Sequence, residues 1–94
     1  MRIVWTNEAL ADLESIVVYY YENVGLETAL AVERRIVAQV ESLQDFPERV
    51  RASERVPGAR EAVVSKLPYI AFVRVTENDI QVLNVVHAAR KFPA

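Results

Sequence analysis

The side chains that could do chemistry in this chain are few. There is one histidine, His87, with Arg90 three residues on. An imidazole with an ordinary pKa near 6.5 suits a general acid or base, and a guanidinium beside it suits an anion. A hydrogen-bonded histidine at a strand end is the structural reading of the same pair. Arg49, Arg51, Arg55 and Arg60 follow one another closely; they suit phosphate contacts or ion pairs with the chain's own carboxylates. Pro57-Gly58-Ala59-Arg60-Glu61 reads as a turn leading into a strand, with Glu61 placed to pair with an arginine or to serve as an acid–base group. Tyr19-Tyr20-Tyr21 would fan over about 200° of a helix, so at least one ring must leave the core. Such a ring can stack on a base or pack at an edge.

Most enzyme classes are excluded. There is no cysteine, so disulfides and thiolate metal sites are absent, and one histidine cannot build a nitrogen-ligand cluster. No phosphate loop or nucleophile elbow occurs, and the serines have a single histidine between them. No cofactor is expected. The net charge of −2 hides a split. Residues 1–48 carry three cations and nine anions, whereas residues 49–94 carry eight cations and four anions. Nine of the eleven cations are arginine, the side chain suited to bidentate contact with phosphate or carboxylate. An acidic first half backing a basic second half is the expectation, with partners meeting the basic half. The longest apolar run, Ile16 to Tyr21, falls far short of the roughly 18 residues of a membrane span. No membrane partner is expected, and the cytoplasm is the expected location.

These groups must be positioned by one domain over residues 1–94, a length that holds a single core. Leu, Ile, Val and Phe make up a third of the chain, enough for it to fold. Arg2-Ile3-Val4-Trp5 reads as a strand. Thr6 or Asn7 can cap a helix whose apolar face is Ala9, Leu10, Leu13, Ile16, Val17, Tyr20 and Val24, closed by Gly25 in a left-handed conformation. Ala29, Val32, Ile36, Val40 and Leu43 form the stripe of a second helix, which Pro47 stops near Asp45. The short link through Val24-Gly25-Leu26 folds the two into an antiparallel hairpin. Residues 47–59 read as a connecting loop. Strands are expected over Arg60–Leu67, Tyr69–Thr76 and Asp79–His87, with a turn at Glu77-Asn78-Asp79. The predicted fold is α+β, β-α-α-β-β-β: an N-terminal strand, a helical hairpin, then a three-stranded antiparallel meander.

The ordered set resembles the RelE/ParE superfamily, the small toxins of type II toxin–antitoxin modules. It rests on Trp5, Ala9, Asp12, Leu13, Ile16, Tyr19 and Tyr20, then Leu43 with Pro47, then Pro57, Gly58, Arg60 and Glu61, then Pro68, Tyr69 and Arg74, and finally Val85, His87 and Arg90. The resemblance covers nearly the whole chain. It implies the fold just derived and a cognate antitoxin that wraps the toxin. It leaves two targets: ParE-like members inhibit DNA gyrase, whereas RelE-like members cut mRNA on the ribosome. Ile70 after Tyr69, Phe92 in the tail and a pI near 5.4 depart from the RelE-like pattern. They favour a gyrase inhibitor with no catalytic residues, in which Arg49, Arg51, Arg55, Arg60, His87, Arg90, Lys91 and Phe92 touch the target or the antitoxin. The alternative nuclease would use His87 as acid or base with Arg60, Arg74 and Arg90 stabilising charge. A degenerate, non-toxic binding domain is the third possibility.

Overall fold

A computed structural model describes every residue except Lys91 and Ala94, and the side chain of Glu48. The expected contact at Lys91 therefore lies outside the described residues. In chain order the elements are β1 (Arg2–Trp5), α1 (Asn7–Asn23), α2 (Leu26–Glu41), 3-10 turns at Ser42–Gln44 and Pro47–Arg49, β2 (Arg51–Ala52), β3 (Arg60–Val63), β4 (Tyr69–Val75) and β5 (Asp79–His87). One sheet runs β1-β5-β4-β3-β2. Its pairs are antiparallel except β1 with β5, which run parallel with Trp5 opposite Val82. No described helix is long and apolar enough to cross a membrane.

Local chemistry sets the helices. The Thr6 hydroxyl accepts the Ala9 N–H at 3.1 Å, capping α1, and donates to the Leu83 carbonyl at 3.1 Å, tying that cap to β5. The hairpin link is Val24 and Gly25, whose N–H groups both reach the Tyr20 carbonyl. Gly25 has φ 146° and ψ 171°, an extended conformation that L side chains rarely adopt, rather than the expected left-handed helical one. That geometry swings the chain straight into α2, and the Gly25 carbonyl then accepts the Ala29 N–H at 3.0 Å. All five residues of the α2 stripe are buried. On α1, Ala9, Leu13 and Ile16 are buried, but Leu10 and Val24 are exposed, against expectation. Leu10 sits about 100° round the helix from Ala9, off the face that meets the sheet, and Val24 lies beyond the last turn.

The sheet is covered on both sides. On the helical side the core joins Leu13, Ile16, Ile36 and Val40 to Ala71, Val73, Ile80 and Val82. On the other side Ile70, Phe72 and Val86 are covered by Val56, Leu83 and Phe92. That second cover is a loop residue, a residue of β5 and a tail residue, so β4 reads as a continuous apolar run, buried from Tyr69 to Val73. A bulge between β4 and β5 sets Phe72 opposite Asn84 and Val73 opposite Val82, leaving Leu83 as the extra residue.

The expected loop over residues 47–59 holds more structure than predicted, and β3 ends at Val63 rather than Leu67, where a turn with Lys66 at φ 66° begins. β2 is a two-residue strand paired with β3, too short to carry a hydrophobic period. Behind it the buried Glu61 carboxylate accepts from Ser53 Oγ at 2.8 Å and from Arg51 at 3.3 Å, with Arg55 4.0 Å away. Ser53 Oγ in turn accepts the N–H groups of Arg55 and Val56. Glu61 thus fixes the loop that seats Val56 on Phe72 and Ile70. Both arginines are far more exposed than the carboxylate, so removing the acid leaves no buried cation behind. The expected cost of Glu61→Ala is therefore that of its charged hydrogen bonds, about 1.5–3 kcal/mol, measured by urea denaturation, with faster amide exchange confined to residues 51–59.

Candidate functional site

The end of β5 and one face of α1 enclose a pocket of about 240 Å³. From α1 it takes Asp12, Ser15, Ile16 and Tyr19, which recur at helical spacing and so project from one side. From the sheet it takes Tyr69, Val85, Val86 and His87, and from the turn beyond β5 it takes Arg90. Tyr69 opens β4, His87 closes β5, and the two are opposite each other in register. Their rings meet edge to face at 5.6 Å between centroids.

Each group has a defined state. Asp12 Oδ2 accepts the Val85 N–H at 2.9 Å and Asn84 Nδ2 at 3.1 Å, so this carboxylate binds α1 to the bulged part of β5. His87 Nδ1 accepts the Ala89 N–H at 3.1 Å, which places the proton of the neutral ring on Nε2. The following turn is closed by the Ala88 N–H on Pro68 O at 2.7 Å and the Arg90 N–H on His87 O at 2.9 Å. Burial pushes the Tyr69 phenol well above its ordinary pKa, and the neighbouring Tyr20 and Tyr19 push it further the same way. Tyr69 is therefore a neutral hydrogen-bond donor at physiological pH. Tyr19, exposed, sets its ring edge-on to Tyr20 at 5.4 Å, so of the three tyrosines Tyr20 turns to the core while Tyr19 and Tyr21 face solvent.

The fold gathers only some of the residues singled out in the sequence. His87 and Arg90 share the pocket. Arg60 stands opposite Val73 and Arg74 opposite Gln81. These places are four and five residues along β4 from Tyr69, about 13–17 Å at ~3.4 Å per residue. Arg51 and Arg55 belong to the Glu61 cluster, and Arg49 lies over the Phe46 ring at 4.1 Å. Phe92 packs on Phe72 with centroids 5.0 Å apart. Asp12, Ser15 and Tyr69 were missed as site residues; the signal for the first two was the polar row Asp12, Ser15, Tyr19 interrupting an apolar helix. Among the described residues no group of three His, Asp or Glu side chains could hold a metal ion.

The Tyr69 shift has a pH consequence. Its folded pKa is raised above the unfolded value near 10. Its contribution to stability is complete below about pH 10 and is lost as pH rises toward the folded value. Stability measured in urea should fall steeply above about pH 10, and Tyr69→Phe should flatten that limb.

A profile of the family described as the ParE toxin of the type II toxin–antitoxin system parDE matches residues 3–92. The toxin named RelE2 of Caulobacter vibrioides is 35% identical over 92 residues, covering 95% of this chain and 97% of that protein. Among solved structures, a chain of the chromosomal ParDE toxin–antitoxin system of P. aeruginosa superposes with a TM-score of 0.85 at 37% identity, over 93% of this chain and 95% of that one. Fold and sequence agree along nearly the whole length: the chain belongs to the ParE toxins of type II toxin–antitoxin systems.

Proposed function

We propose that this toxin binds DNA gyrase and stalls it on cleaved DNA, doing no chemistry of its own, and that a cognate antitoxin neutralises it. The observation that carries the gyrase reading is the poverty of cations around His87 among the described residues. Cutting RNA through its 2′-hydroxyl needs a base, an acid and positive charge converging on one phosphate. Among the described residues, the His87 pocket contains one cation, Arg90. Arg60 and Arg74 lie down the sheet, Asp12 is committed to β5, and Tyr69 keeps its proton. Exposed Tyr19 on α1, His87 at the end of β5 and Arg90 in the turn that follows instead make a contact surface.

The antitoxin reading rests on the toxin–antitoxin system of the structural relative and on the hairpin surface. Leu10, Val18, Tyr21 and Val24, with Leu26 and Leu30 of α2, stand 39–64% exposed. Leu10, Val18 and Tyr21 share one side of α1, with Val24 just past its end, as an amphipathic partner segment needs. This apolar surface favours the hairpin as an antitoxin seat, whereas charge alone favours the basic half. Glu14, Glu22 and Glu27 lie among these residues in the sequence, so the segment should carry apolar anchors flanked by cations.

Purified toxin should inhibit gyrase supercoiling without ribosomes, and His87→Ala, which removes a contact group, should weaken that inhibition while mRNA stays uncut with either form. In a translating extract, mRNA cleavage that His87→Ala reduces about 10²-fold, the scale of a missing general acid or base, would establish the nuclease reading instead. Leu26→Asp with Leu30→Asp should weaken the antitoxin complex at least tenfold by calorimetric titration, at about 1.5–3 kcal/mol for each leucine that the complex buries. Both side chains are exposed in the free toxin, so its thermal midpoint should change little.

A further inference from the structure

The sequence divides into an acidic first half and a basic second half, but the fold does not keep them apart. Arg34 and Arg35 of α2, from the acidic half, line an open trough of about 600 Å³ with Arg49. The floor and walls are Ala31, Ala38, Gln39, Ser42 and Ser65. Arg35 and Ala31 are shared with an adjoining depression that holds Lys66. Arg34, Arg35 and Lys66 make no ion pair among the described residues. Glu27, at the far end, is the one acid among the described lining side chains of the two depressions.

We propose that this trough binds the sugar–phosphate backbone of duplex DNA. Three observations favour DNA over an acidic protein segment. The lining beside the arginines is small (Ala31, Ala38, Ser42, Ser65) or polar (Gln39), and the exposed apolar side chain next to it, Phe46, is capped by the Arg49 guanidinium instead of open to a peptide anchor. From Thr28 to Ser42 the helix runs about 21 Å at 1.5 Å per residue, comparable to about six phosphates along one strand at 3.4 Å of axis each. Arg49 is held in place by stacking on Phe46 rather than left to swing freely, so its guanidinium is ordered before a phosphate arrives. The choice of DNA over RNA rests on the gyrase reading, which brings cleaved duplex within reach. The trough would then act as a second foothold, on the DNA, beside the protein contacts at His87 and Arg90.

The test is fluorescence anisotropy of a labelled duplex of about 20 base pairs titrated with the full chain from about 50 to 200 mM salt. Wild-type toxin should bind, with log affinity falling linearly against log salt. Arg34→Ala with Arg35→Ala should cost at least tenfold at low salt and reduce the slope by about 1.8, at 0.9 for each phosphate no longer neutralised. Arg74→Ala, an exposed cation on β4, should leave both unchanged. Absence of duplex binding by the wild type, an unchanged double variant, or preference for single-stranded RNA or for polyglutamate over the duplex would overturn the proposal. A gyrase assay run in parallel separates the two readings: reduced duplex affinity in the double variant upholds the trough even where the wild type fails to inhibit gyrase.

Discussion

The structure depends on β5 receiving the start of the chain. Thr6 reaches the Leu83 carbonyl, Asp12 reaches the Val85 N–H and Asn84, and β1 lies parallel to β5 with Trp5 beside Val82. Parallel neighbours cannot be joined by a tight turn, so the chain must cross over between them. Everything between β1 and β5 is that crossover, and the helical hairpin is the part that lies on the sheet. Asp12 is where the constraint is strongest. Its carboxylate takes two hydrogen bonds from residues displaced by the bulge, each of a kind worth roughly 1.5–3 kcal/mol when one partner is charged. Those bonds, just past the bulge, hold the end of β5 to α1, and the pocket lies at that junction.

What could be read in advance follows the range of the signal. Asp79–His87 is a strand with the bounds its residues suggest, because β-branched density and a turn at Asn78 are local properties. The α2 stripe was legible because five apolar residues at helical spacing leave little choice of face. The pairing of Glu61 with arginine was legible as an option, and the fold selected Arg51 and Arg55 from among the neighbours. Other features had no local signature. β2 is shorter than the period that defines a strand, and exists because β3 offers it an edge. Phe92 reads as a free tail residue until Phe72 is known to face away from the helices. The parallel placement of β1 is decided by residues more than seventy positions away.

The charge pattern illustrates the same difference between sequence and space. A tally by halves assigns the hairpin a negative character. In the fold, Arg34 and Arg35 project from α2 toward Arg49, while Arg51 and Arg55 are drawn to Glu61. Four arginines that crowd one stretch of sequence thus go to three places: Arg49 to the trough, Arg51 and Arg55 to Glu61, and Arg60 to an exposed position on β3. An interior acid such as Glu61 is more selective than an exposed one, since solvent no longer satisfies it and a specific donor must. It therefore reorganises the cations around it, and those left over define the surface potential that a partner meets.

The pocket at the end of β5 is built on two strands and a helix, none of which can move without disturbing the core. β4 is buried on both faces, its first residue Tyr69 is packed under α1, and His87 is fixed from two sides, by the Tyr69 ring and by the Ala89 N–H. Groups held this firmly suit recognition, because little side-chain entropy remains to be lost when a partner docks. A catalytic site needs, in addition, charge converging on one point, and here the sheet register keeps Arg60 and Arg74 several residues down the strands from His87. On this scaffold one strand pairing both stiffens the pocket and holds those cations away from the histidine. A nuclease built on the same register would need its cations on residues nearer Tyr69, on β4 or on the facing side of α1.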